Sequence, residues 1–142
     1  MALDDAAIRD LLLTTRRIAV VGASDRPDRP SHGVFAFLRA RGYDAVPVNP
    51  ALAGRPIQGI AAVASLDDAA PLDMVDIFRR SAEAGAVVDE AIRLRARSVW
   101  LQLGVIDQAA AARARAAGLM VVMDRCPVIE WRRLGLPGHV GP

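Results

Sequence analysis

The chain has no lysine; all 18 of its basic residues are arginine. A compositional bias of the source genome accounts for this, yet the absence has chemical force. A phosphate-binding P-loop needs a lysine for the β- and γ-phosphates, and Schiff-base catalysis needs a lysine amine, so both are excluded. There is one cysteine, Cys126, which rules out an internal disulfide framework and a zinc site built from several cysteines. Aromatic residues make up 4%, the single tyrosine stands near no basic cluster, and the net charge of +2 is spread without a polybasic tail. Nucleic-acid binding therefore finds no footprint. No stretch reaches the roughly 18 uncharged apolar residues of a membrane span. The N-terminus, MALDDAAIRD, is acidic and amphipathic where a signal peptide would be basic and then apolar. The expectation is a cytoplasmic protein with no membrane or nucleic-acid partner.

What is present is apolar sequence in a regular order. Hydrophobic residues are 53% of 142, enough for one domain with a substantial core. Short β-branched runs at 17–22, 44–50, 73–78, 98–104 and 119–124 read as buried strands. Between them lie helical patterns: 3–15, with Asp4 and Asp5 in its first turn; 32–41, with Ser31 as its cap and Gly42 beyond its end; a helix capped by Ser81; and Asp107 to Ala117, stopped by Gly118. A short helix over 128–135 closes the pattern. Residues 51–70 read as a loop holding at most a short strand or turn. This alternation predicts right-handed βαβ units, hence an α/β doubly wound domain whose five-stranded, mainly parallel sheet is covered on both faces. The domain is expected over 1–135, with 136–142 as a flexible tail.

Ligands of such sheets bind beyond the carboxyl ends of the strands. The first end, VVGASDRPDRPSH, lacks G-x-G-x-x-G. Gly22 permits a sharp turn, Ser24 and Ser31 offer hydroxyls, and Arg26 and Arg29 offer charge. Two readings stand on these residues alone: an anion site on loop and helix amides, or a turn, a cap and solvated arginines. The second end carries Asn49-Pro50 where an NAD site would place an acid for the ribose, which disfavours NAD. Phe78-Arg79-Arg80-Ser81 ends the third strand; either arginine can pair a phosphate or stack on a base, or simply lie in solvent. Cys126, after the fifth strand, is either a small buried hydrophobe or a thiol on the ligand edge. Asp73, Asp76 and Asp124 read as paired or capping carboxylates. No catalytic constellation and no metal-ligand spacing is found.

Taken in order, VVGASDRPDRPSHGV, GYDAVPVNP, VDIFRRS, VDEAI, VWLQLGV and VVMDRCPVIEW resemble the stand-alone CoA-binding proteins, similar to the CoA-binding domain of the succinyl-CoA synthetase α subunit. The resemblance runs from about Ile18 to Leu134 and implies a Rossmann-like domain holding coenzyme A. It places the phosphate loop on Gly22, Ala23 and Ser24, continued by Arg29, Pro30, Ser31 and His32. The nucleotide side falls on Val48, Asn49 and Pro50 and on Phe78, Arg79 and Arg80, and the pantetheine side on Gln102, Leu103 and Gly104. The ligase subunit draws its phosphohistidine from a second domain, so thioester ligation by this chain alone is not expected. The implied function is binding of CoA or an acyl-CoA without catalysis of its own. The alternatives are an NAD(P)-dependent oxidoreductase and a CoA-binding subunit serving a separate enzyme, with that enzyme or a second copy of the chain as partner. Valine at Gly22 is expected to block the ligand while leaving the helices intact.

Overall fold

Each apolar run becomes a parallel strand, shorter than the run itself. In the computed structural model, which describes residues 2–140, the strands are β1 (Arg17–Val21), β2 (Asp44–Val48), β5 (Met74–Ile77), β6 (Ser98–Leu101) and β7 (Met120–Val122). They form one sheet in the order β2-β1-β5-β6-β7, every neighbouring pair parallel. The chain leaves β1 toward β2 on one side and later returns to place β5 on the other. The switch point therefore lies between β1 and β5, where a crevice opens at the carboxyl edge.

Side chains alternate across the sheet. Ala19, Val21, Val75, Ile77, Val99 and Leu101 join one core layer, and Ile18, Val20, Met74, Trp100 and Val122 join the other. The first layer is covered by α3 (Leu66–Ala69), α4 (Ser81–Arg93) and α5 (Gln108–Ala116); the second by α1 (Asp5–Thr14), α2 (Pro30–Ala40) and α6 (Pro127–Arg133). Asp4 caps α1 by accepting from the Ala7 amide at 2.8 Å, and Asp107 caps α5 by accepting from Ala110 at 3.0 Å. Arg133 bridges Asp5 and Glu130 at 2.8 Å each, tying α6 to α1.

Four expectations need correction. Ser31 does not cap α2: the helix starts at Pro30, whose fixed φ suits a first position, and Ser31 is buried inside its first turn. Ser81 does not cap α4 either. Its hydroxyl donates to the Gly104 carbonyl at 3.2 Å and accepts from the Ile106 amide at 2.9 Å, clamping the loop after β6. The stretch 51–70 is more ordered than a loop. A 3-10 turn over Pro50–Leu52 leads into a hairpin of β3 (Pro56–Ile57) and β4 (Ile60–Ala61), reversed at Gln58 and Gly59, both at positive φ. Val63 then bridges Val48 and covers the β2 edge. Finally, the segment after residue 135 packs down through Val140. Leu136 and Val140 are buried, and the Val140 amide donates to the Arg41 carbonyl at 2.7 Å. Gly42 makes room for it: a Cβ there would lie 2.3 Å from the His139 ring.

Candidate functional site

Two clefts of about 710 Å3 each open at the carboxyl edge and meet at Gly22 and Arg79. The first runs along the β1–α2 loop toward the ends of β6 and β7, and gathers Gly22, Ala23, Ser24, Arg29, Pro30 and Ser31 with Asn49, Phe78, Arg79, Arg80, Gln102 and Leu103. The second lies over α4, between the end of β2 and α3; Val48 and Pro50 line it. His32 and Gly104 line neither cleft. The His32 carbonyl instead accepts from the Gln58 side chain at 2.9 Å, and the Gly104 amide donates to Asp124 Oδ1 at 2.7 Å.

Gly22 has a different reason to be glycine than a ligand's approach. Its φ is +85°, and a Cβ would sit 2.2 Å from the Phe78 carbonyl oxygen. Its amide is already spent, donating to the Val48 carbonyl at 2.9 Å. What close approach there is comes from the end of β5, whose Phe78 amide donates to Val21 at 2.8 Å. The loop's unpartnered donors lie further on. Ser24 Oγ accepts from the Arg26 amide at 3.0 Å, bending the loop, while the amides of Ser24 and Asp25 have no partner among the described residues. With the first turn of α2 behind them, they form a concave donor surface that favours negative charge.

Asn49 is a brace. Its Nδ2 donates to the Ala23 carbonyl at 2.8 Å and its Oδ1 accepts from the Ala51 amide at 2.9 Å, so the end of β2 fixes the β1 loop. Arg79 and Arg80 both pair with Glu83 in the first turn of α4, Arg80 through Nε at 2.9 Å. The Arg80 hydrogen bond holds the Glu83 carboxyl below the usual range. Arg79 borders both clefts, whereas the Arg80 side chain is 86% exposed.

Under Gln102 lies Asp76, on β5 and fully buried. The Gln102 amide is 2.8 Å from Asp76 Oδ1. Burial pushes the Asp76 carboxyl well above its ordinary value of 3.8. The folded protein therefore keeps a proton that the unfolded chain releases near that value, and Asp76 lowers stability as pH rises above about 4 toward its folded-state pKa. Asp76→Asn, which keeps the amide contact and has no proton to lose, is expected to gain stability relative to the wild type across that window. Parallel melting curves would disprove this.

The sequence reading missed part of the lining. Val34, Leu52 and Val105 supply apolar wall to the first cleft, as Leu66 and Val87 do to the second. Val34 and Val87 lie on helices, and nothing local in the sequence marks a helix residue as cleft wall. Cys126 also lines the first cleft. Among the described residues no group of His, Cys, Asp and Glu is placed to hold a metal, and no helix is long and apolar enough to cross a membrane.

The family model described as a CoA binding domain matches residues 16–132. The chain is 39% identical over 122 residues to the uncharacterized protein YneT of Bacillus subtilis, covering 85% of this chain and 89% of that protein. It superposes on cell-free ID.343 from Thermus thermophilus with a TM-score of 0.87 at 39% identity, covering 93% and 99% of the two chains. A hypothetical protein from Pyrococcus horikoshii gives a TM-score of 0.86 at 35% identity, covering 93% and 92%. A donor-lined loop at the switch point between two clefts, a matching family model over most of the chain and relatives at this identity agree: the chain belongs to the CoA binding domain family.

Proposed function

We propose that the protein binds CoA or an acyl-CoA across both clefts, without carrying out thioester chemistry itself. The observation that carries this is the meeting of two equal clefts at Gly22 and Arg79, beside the Ser24 and Asp25 amides. A long ligand with a central diphosphate suits that shape. The diphosphate lies on the loop amides, the adenosine end in the cleft bordered by Val48, Pro50 and Arg79, and the pantetheine arm along Gln102 and Leu103. Leu103 is 56% exposed, an apolar contact suited to such an arm. An NAD reading is weaker, since Asn49 stands in place of the ribose-binding acid and both ends of its amide are engaged.

Thermal shift against CoA, acetyl-CoA, NAD and NADP tests the proposal. A ligand at 100 times its Kd stabilises by about 2.7 kcal/mol. Stabilisation by NAD or NADP alone would overturn the reading. Arg79→Ala is expected to weaken CoA more than dephospho-CoA, because Arg79 meets the 3′-phosphate. A charge-assisted hydrogen bond of about 1.5–3 kcal/mol corresponds to roughly a ten- to hundredfold loss. Equal losses for the two ligands, measured by calorimetry, would move that contact to Arg80 or Arg29.

A further inference from the structure

Cys126 is the chain's one thiol, and it is free. It stands half-buried in the wall of the first cleft, together with Gln102 and Leu103. Its backbone is held on both sides. The preceding Arg125 carbonyl accepts from the Trp100 indole at 2.8 Å, and the Arg125 guanidinium pairs with Glu130 at 2.7 Å. Pro127 follows as the first residue of α6, and the Cys126 carbonyl accepts from the Glu130 amide at 3.0 Å. The residue thus sits at a fixed point of the wall, partly packed against the second core layer and partly lining the cleft.

A second side chain of the same cleft points to a polar occupant. Ser31 is only 3% exposed, lines the cleft, and its hydroxyl has no hydrogen-bond partner among the described residues. Among the described residues only Arg41 Nε is a sealed, unpaired side-chain atom, so the Ser31 oxygen keeps some accessible surface, and the cleft offers it to a polar group of a ligand. Ser31 lies in the first turn of α2 near the loop amides, and Cys126 precedes α6 by the end of β7. A ligand seated on Ser31 and the loop, and extending along Gln102, brings its far end to the thiol. This step rests on the CoA reading above, since the far end of CoA is itself a thiol.

We propose that Cys126 captures bound CoA as a mixed disulfide. The co-reactant is an organic disulfide, CoA disulfide being the form that fits the cleft. The Cys126 thiol gives its proton to solvent, and the thiolate attacks one sulfur of the CoA disulfide. The S–S bond of that disulfide breaks and a new one forms between Cys126 and one CoA. The second CoA leaves as a thiolate and takes up a proton. One disulfide is consumed and one made, and a small dithiol reverses the step. Cleft and thiol together would make the protein a redox-dependent CoA carrier.

The test uses the whole chain and intact-mass measurement under non-reducing conditions. With one cysteine in the sequence, a disulfide adduct has a single place to form. CoA disulfide is expected to give one CoA adduct, released by dithiothreitol. It should form at least tenfold faster than the adduct from glutathione disulfide, and acetyl-CoA, which has no free thiol, should slow it. Equal rates with both disulfides would overturn the proposal by showing an ordinary accessible thiol. No adduct, in a protein that acetyl-CoA still stabilises thermally, would overturn it while leaving the binding reading standing. No stabilisation by either CoA or acetyl-CoA would remove both.

Discussion

Gly22→Val is expected to unfold the protein rather than to clear its cleft. Valine would have to adopt a φ of +85° with its Cβ 2.2 Å from the Phe78 carbonyl oxygen. A left-handed conformation costs a non-glycine residue about 1–3 kcal/mol, and overpacking adds a similar amount. Backbone cannot swing aside as a side-chain tip can, because Phe78 is itself bonded to Val21 at the end of β1. The sum, roughly 2–6 kcal/mol, is a large share of the stability of a domain of this size. Urea denaturation followed by circular dichroism measures it, and an unchanged midpoint would refute the account. Loss of CoA binding in this variant would then say nothing about phosphate contacts. A probe of the loop is better placed at Ser24, whose side chain shapes the donor surface by accepting from the Arg26 amide.

The second large effect is expected at Trp100, the bulkiest of the fully buried side chains. Trp100→Ala removes a ring from the layer between the sheet and α1, α2 and α6 and is expected to cost about 3–5 kcal/mol. Trp100→Phe separates packing from polarity. It keeps most of the ring but strands the Arg125 carbonyl, which now accepts from the indole at 2.8 Å. That loss is about 1 kcal/mol, and it should appear locally as faster amide exchange over residues 125–130, with the β1 and β5 amides unaffected. Uniform acceleration over the whole sheet would mean that the indole hydrogen bond holds nothing specific at the cleft.

The strands were legible because β-branched runs separated by helical spacing have few other solutions; RIAVV and MVDI could hardly be anything else in a parallel sheet. Their ends were less so. Gly22 reads as a turn from its own identity, but its neighbour across the turn, Phe78, is 56 residues away, and no local pattern places it there. Ser31 and Ser81 show a related limit. A serine before an apolar period is the usual sign of a cap, yet here one is taken into the helix by a preceding proline and the other is drawn to a neighbouring loop. The hairpin at 56–61 has strands of two residues each, too short for any period to register. The C-terminal segment looked frayed on its glycines and prolines, while Leu136 and Val140 carried the opposite signal. The strand-end residues were found because the fold dictates where to look; how they divide between two clefts depends on α3 and α4 packing, which composition does not encode.

Asn49 bears on any attempt to change which nucleotide this scaffold accepts. The obvious edit would be aspartate, restoring the acid that grips a ribose in dinucleotide sites. In this protein the edit would remove the Asn49 amide, the only donor to the Ala23 carbonyl among the described residues, and set a carboxylate oxygen against it. Repulsion between two acceptors would push the first loop away from the end of β2 before any cofactor arrived. Ligand preference at this edge is thus coupled to the architecture of the loop, and a switch toward NAD would need a second substitution to supply the missing donor.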